Sequence, residues 1–252
     1  MQVRPIKTSR FSVHQPIEPF LDQFVPQLAE KSIVAVTSKI VALSEGAVIE
    51  RETGSKDEKY AIVRQIAERY TEPSQSQYQL ILTVKHNILA VNAGLDESNA
   101  DGQYVLLPTN PYHSAERIWR HLRERDQLEE LGVIITDSRT FPLKWGTIGT
   151  ALSHCGFVAV NDRRGEKDLY GHEMQMTKEN LAEGLAVAAN VVMGEVAEAQ
   201  PVAVLTEVPG VQFQTQPPTS AELEELGIEL EEDAYAPILT RAPWHKGGGG
   251  EA

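Results

Sequence analysis

Gly132-Val-Ile-Ile-Thr-Asp-Ser138 is the stretch on which the fold reading turns. Its first five residues, 132–136, form a short, largely apolar and β-branched run, the pattern of a buried strand. The run then breaks on two oxygen-bearing side chains, Asp137 and Ser138. A second such run, Ser32-Ile-Val-Ala-Val36, ends on Thr37-Ser38-Lys39. Oxygen-bearing residues at the end of a buried strand mark the place where α/β folds hold ligands on rigid support.

Working outward, residues 79–84 (QLILTV), 88–91, 105–107, 157–160 and 201–205 also read as strands. Residues 17–28, 57–70, 114–128 and 178–192 carry helical spacing, the last Ala-rich and preceded by Thr177 as an N-cap. This alternation predicts an α/β (α+β) fold of mixed sheets with flanking helices. Neither an internal repeat nor a Pro/Ser linker divides the chain, so residues 1–245 are expected to form one domain, with two subdomains as an option. The QTQPPTS stretch (214–220) punctuates before an acidic segment, 222–233, and residues 246–252 read as a disordered Gly-rich tail.

Composition narrows the function. With 252 residues and 41% hydrophobic content, the chain has enough apolar material for a core, which excludes disordered and fibrous classes. The 23 Lys and Arg against 36 Asp and Glu leave a formal charge of −13, which repels phosphate backbones and argues against nucleic-acid binding. Apolar runs fall short of the roughly 20 residues that span a bilayer. The first eight residues lack a signal-peptide core, and one cysteine, Cys155, forbids an intrachain disulfide. Together these features predict a cytoplasmic protein without a membrane partner.

Three junctions concentrate oxygen donors: 92–102 (NAGLDESNADG), 136–138 (TDS) and 193–195 (MGE). Carboxylates gathered from several loops raise one another's pKa, and a hard divalent cation such as Mg²⁺ or Mn²⁺ removes that conflict while leaving sites for phosphate oxygens. Each junction has a plainer reading. Asp96 to Gly102 suits a tight turn, Asp137-Ser138 a cap, and Glu195 an exposed carboxylate near a helix end. The calcium-loop alternative fails because Pro108 would stand where a bidentate Glu is needed. Walker A and G-x-G-x-x-G spacings are absent, and Met176 breaks a zincin-like start at His172-Glu173.

Taken in order, TSKIVALSEG (37–46), VNAGLDESN (91–99), LLP (106–108), SAERIWRHLR (114–123), GVIITDS (132–138), DRRGEKDLYG (162–171), Thr177, VVMGE (191–195) and PVAVL (201–205) resemble the coenzyme F420 gamma-glutamyl ligases, the CofE-like family. The GIELEEDAYAPIL ending is similar to a bacterial branch assigned to folate-type gamma-glutamate ligation. The resemblance implies an intertwined α/β homodimer. It implies a GTP-dependent ligase that uses Mg²⁺ or Mn²⁺, two ions, to join L-glutamate to an acceptor carboxylate through an acyl phosphate. It further implies metal ligation by Asp96, Asp137, Ser138 and Glu195. Nucleotide contacts fall to Ser38, Lys39, Asn99, Met193, Gly194, Glu195, Glu198 and Gln200, and catalytic roles to Lys39 and Asp137.

Two segments depart from the family pattern. SKIVSKAEG is replaced at Ala42-Leu43-Ser44, and DSFGRPWR by Asp137-Ser-Arg-Thr-Phe-Pro-Leu-Lys144, which puts Phe141 and Lys144 at the arginine positions and displaces Arg139. A lost guanidinium fork changes how a carboxylate or phosphate is recognised. The acceptor, an F420 precursor or a folate-like molecule, therefore stays open. A nucleotide- or metabolite-binding member of the same fold without ligase activity is the alternative.

Overall fold

The computed structural model describes residues 1–249. In chain order the elements are β1 (Gln2–Ile6), α1 (Ile17–Phe24), β2 (Ser32–Thr37), α2 (Ser38–Glu45), β3 (Val48–Glu50), α3 (Lys56–Ile66), β4 (Arg69–Tyr70), β5 (Leu82–Lys85) and β6 (Ile88–Val91). There follow β7 (Gln103–Val105), α4 (Pro111–Asp126), β8 (Leu131–Thr140), β9 (Thr147–Cys155), β10 (Val160–Asp162), β11 (Lys178–Asn180) and α5 (Leu181–Met193). β12 (Val202–Thr206), α6 (Ser220–Leu226), α7 (Ala236–Leu239) and β13 (His245–Lys246) complete the chain.

The main sheet has the order β1-β12-β2-β8-β9, and of its neighbours β2 and β8 alone run parallel. Strict alternation along β2 sorts its side chains. Val34 and Val36 join Phe20, Ile40, Ile118 and Trp119 in a core under α1, α2 and α4, while Ile33 and Ala35 join Leu185, Ala186 and Ala189 in a core under α5. Both faces are covered, which is why SIVAV and GVIIT read as continuous apolar runs. A smaller sheet, β13-β4-β5-β6, packs with α3 around Val63, Ile81 and Tyr104. The mixed α/β architecture expected from the sequence is what forms.

Several boundaries differ from expectation, each for a local reason. The helix expected at 17–28 stops at Phe24, since Pro26 biases Val25 towards extended backbone. The helix expected at 57–70 is Lys56–Ile66, begun by the Ser55 cap, and Arg69–Tyr70 joins the small sheet instead. The helix expected at 114–128 starts at Pro111, where the Asn110 side chain accepts from the His113 amide. Thr177 does not cap α5: residues 178–180 pair with β10, and Asn180 caps the helix by accepting from the Glu183 amide. The strands expected at 79–84 and 105–107 shift to Leu82–Lys85 and Gln103–Val105. In the run expected at 157–160, Phe157 makes one bridge to Phe213 and the regular strand begins at Val160.

The expectation of a disordered tail from 246 onward is corrected as far as Gly249. His245–Lys246 pairs antiparallel with Arg69–Tyr70. The amides of Gly247, Gly248 and Gly249 donate to the carbonyls of Glu68, Arg64 and Ala67. A Cβ on Gly247 would overlap the Ala67 carbonyl oxygen, so this glycine serves close backbone approach rather than freedom. Residues 250–252 lie outside the described residues.

Candidate active site

Parallel pairing of β2 with β8 sets Thr37 opposite Thr136. Ser38-Lys39 therefore turns into α2 beside Asp137-Ser138, which continue along β8 paired only with β9. A β-bulge against β9 falls between Ile135 and Thr136, one residue before Asp137, and such irregularities re-aim the side chains that follow them. Beyond the bulge, Ser138 pairs with Gly149, where a Cβ would overlap the Ala186 carbonyl oxygen of α5. The glycine lets α5 approach closely enough for Asn190 Nδ2 to donate to Ser138 Oγ at 3.1 Å.

Asp137 is half-buried, and burial pushes its carboxyl up to about 6, with the charge of Asp96 acting in the same direction. The Ser138 amide, the Ser38 hydroxyl and the Lys39 ammonium oppose the rise. Asp96 behaves differently. Burial favours its neutral form, yet bonds from Lys39 and Ser98 outweigh burial and hold the carboxyl below the usual range. Lys39 Nζ lies 2.6 Å from Asp96 Oδ2 and donates to the Ser98 carbonyl at 2.8 Å. The Ser98 amide donates to Asp96 Oδ1 at 2.7 Å.

The chain reaches Asp96 through a tight turn at Asn92, Ala93 and Gly94, all with positive φ. Asn92 Oδ1 accepts from the Ile81 amide at 3.2 Å, and Thr83 Oγ1 accepts from the Ala93 amide at 2.8 Å, which holds this backbone in place. The turn reading of the 96–102 run is thus half right. Asn99 and Asp101 do adopt left-handed backbone, while Asp96 points to Lys39.

The segment after α5 closes the arrangement. Ser138 Oγ donates to Glu195 Oε1 at 2.8 Å, and Asn99 Nδ2 donates to the Val196 carbonyl at 2.9 Å. Glu198 is exposed and accepts from the Val196 amide at 2.8 Å. Gly194 caps α5 with φ 81°, where a Cβ would overlap the Glu198 carboxyl. Met193 buries its side chain in the core beneath α5, which leaves only its backbone for a ligand. Gln200 precedes Pro201, whose carbonyl accepts from the Thr37 amide at 2.9 Å.

The residues named from the sequence thus come together in two neighbouring groups: Lys39 with Asp96, flanking Asp137, and Ser138 with Glu195. Among the described residues, no three His, Cys, Asp or Glu side chains stand together as a preformed metal cage. The donor set still suits a hard divalent cation, because it offers only oxygen and includes a buried carboxyl destabilised by a second acid.

Beside Asp137 and Ser138 lies a cavity of about 190 Å³ between the main and small sheets, walled by Ile88, Leu107 and Leu152 and edged by Lys85, Arg139 and Thr147. Sequence reasoning missed Ser98, Asn190 and Lys85 as contributors. A lone Asn in an Ala-rich helix was the available signal for Asn190; the other two depend on tertiary contact.

The fold and this site define an α/β protein with a ligand site of acids, hydroxyls and one lysine where β2 ends beside β8. A family model described as F420-0:Gamma-glutamyl ligase matches residues 16–207. The chain is 35% identical over 193 residues to the coenzyme F420:L-glutamate ligase of Methanocaldococcus jannaschii, covering 71% of this chain and 76% of the relative. It is 34% identical over 190 residues to the ligase of the same name from Methanopyrus kandleri, covering 69% and 74%. Against the same-named ligase of Halobacterium salinarum it is 33% identical over 198 residues, covering 71% and 76%. The chain belongs to the F420-0:gamma-glutamyl ligase family, whose members form carbon–nitrogen bonds. The resemblance read from the ordered motifs is borne out.

Proposed function

We propose that this chain joins L-glutamate to a carboxylate of F420-0, using GTP and divalent Mg²⁺ or Mn²⁺. The observation that carries the reading is the meeting of Asp137, Asp96 and Lys39 where β2 ends beside β8, in a chain of this family.

A carboxylate does not accept an amine directly, because oxide is a poor leaving group. Attack of a carboxylate oxygen on the γ-phosphorus of GTP releases GDP and gives an acyl phosphate. The glutamate amine then displaces phosphate and loses a proton. Two divalent ions, held by Asp96, Asp137, Ser138 and Glu195, would supply charge neutralisation at the β- and γ-phosphates. Lys39 is the cation nearest the two aspartates and is placed to stabilise charge that builds on the transferred phosphoryl oxygens. Ser38 orients Asp137, Ser98 orients Asp96, and Asn190 orients Ser138. Asn99 ties the loop of Asp96 to the segment 193–200, which we assign to the nucleotide.

A homodimer is part of the same proposal. Leu143 and Trp145, at the β8–β9 hairpin tip, and Leu169, Tyr170 and Met176, in the excursion between β10 and β11, are almost fully exposed in one chain. Exposed apolar side chains on these two loops support an interaction surface there. The lone, buried Cys155 suits the reducing cytoplasm in which we place the reaction.

The test incubates the protein with F420-0, L-glutamate, GTP and Mn²⁺, with ATP and a folate-like acceptor as parallel arms, and looks by mass spectrometry for a glutamyl mass gain. Product that requires both nucleotide and metal supports the proposal. Tight GTP binding with no product from any acceptor would favour the binding-only alternative, which the exposed Phe141 and Lys144 at the family's arginine positions keep in play.

A further inference from the structure

Arg139 follows Asp137 by two residues on β8, so the two side chains share a face of the strand, and both line the 190 Å³ cavity. Its guanidinium is underused. Glu183 Oε2 stands 3.8 Å from Nη2, and the other oxygen of Glu183 already accepts from Thr150 at 2.9 Å. Arg139 Nε is buried with no hydrogen-bond partner. A buried N–H left unpaired is destabilising, so such a group calls for a partner the protein does not itself supply. A planar fork with free donors matches the two oxygens of a carboxylate or of a phosphate, and the titration with GMP-PNP separates the two. The remaining wall is apolar at Ile88, Leu107 and Leu152, which suits a short aliphatic chain, and Lys85 adds a second cation.

We propose that Arg139, assisted by Lys85, binds a substrate carboxylate in this cavity beside the reacting centre. The inference rests on the ligase reading above. Both substrates carry carboxylates, L-glutamate and F420-0, and the experiment separates them. The Lys85 ammonium already donates to the Gly249 carbonyl at 3.1 Å and feels the charge of Glu68, so its part is secondary to that of Arg139.

Calorimetric titrations of L-glutamate and, separately, F420-0 into the protein charged with Mn²⁺ and the non-hydrolysable analogue GMP-PNP test this. Arg139→Lys keeps the charge and removes the fork; Arg139→Gln removes both, and Lys85→Met removes the second cation. Arg139→Lys is expected to weaken one of the two ligands at least tenfold while GMP-PNP binds as in the wild type, and Lys85→Met to weaken the same ligand less. Whichever ligand weakens identifies the bound carboxylate. Wild-type affinity for both ligands in both Arg139 variants overturns the proposal. So does a tenfold loss for GMP-PNP, which would give Arg139 to the nucleotide. Failure of the ligase reading is seen separately, as wild-type protein that yields no glutamyl product.

Discussion

Asp137 and His154 oppose each other as pH changes. The Asp137 carboxyl, raised from near 3.8 to about 6, holds a proton in the folded state that the unfolded chain has released. Its stabilising contribution is therefore full below pH 3.8 and lost as pH rises through 6. His154 is buried and its imidazole is lowered from 6.5 to about 4. It stays neutral when folded and charges when unfolded, so stability is lost as pH falls from 6.5 towards 4. Between pH 4 and 6 the two slopes are about 1.4 kcal/mol per pH unit each and of opposite sign, and they nearly cancel. Urea titrations of the metal-free protein across this window should show that Asp137→Asn makes stability rise steeply with pH, and that His154→Phe makes it fall. The same Asp137→Asn variant should stabilise the metal-free protein at pH 7 by about 1–3 kcal/mol while losing Mn²⁺ affinity, because it removes a desolvated carboxylate that the cation needs. Lys39→Met should lower the ligation rate by about 10²–10³ with little change in F420-0 binding, measured by steady-state product formation, since it strips the nearest positive charge from the phosphoryl site.

At the scale of elements, the site depends on how closely α5 lies on β9. Gly149 sits beneath Ala186 and Asn190, so Gly149→Ala must push the helix outward or distort the strand. Overpacking of this kind costs about 1–3 kcal/mol in urea denaturation, and it should also break the Asn190–Ser138–Glu195 chain. If Ser138 and Glu195 hold the proposed ion, Gly149→Ala should lower Mn²⁺ affinity in calorimetric titration while the protein still folds. β9 itself went unread in the sequence, because Gly149, Ser153 and His154 interrupt its apolar pattern. Burial between β8, α4 and α5 makes it a strand regardless.

For the whole molecule, the proposed dimer predicts that a second copy covers exposed apolar side chains at the hairpin tip and in the excursion between β10 and β11. Leu143→Asp combined with Trp145→Ser is expected to convert the proposed dimer to a folded monomer in sedimentation velocity, since neither side chain contributes to a core. A wild-type protein that sediments as a monomer at micromolar concentration would refute the dimer. The −13 charge acts against self-association at long range, so dimer affinity should rise with salt.

The sequence by itself determined the mixed α/β class, the two doubly covered strands and the family, because unbroken β-branched runs and ordered motifs are local properties of the chain. It also named Lys39, Asp96, Asp137, Ser138 and Glu195, since polar residues directly after apolar runs stand out in the chain and the ordered motifs give them roles. Only the tertiary structure decided their grouping. Parallel pairing of β2 with β8 and the turn before Asp96 bring Lys39 against one acid and beside another, and the close approach of α5 hands Glu195 to Ser138. The same was true of the C-terminal glycines, read as a loose tail but pressed through Gly249 against the end of α3. Contacts between residues far apart in the chain leave no periodicity to read. They exist only once burial has chosen which backbones may touch.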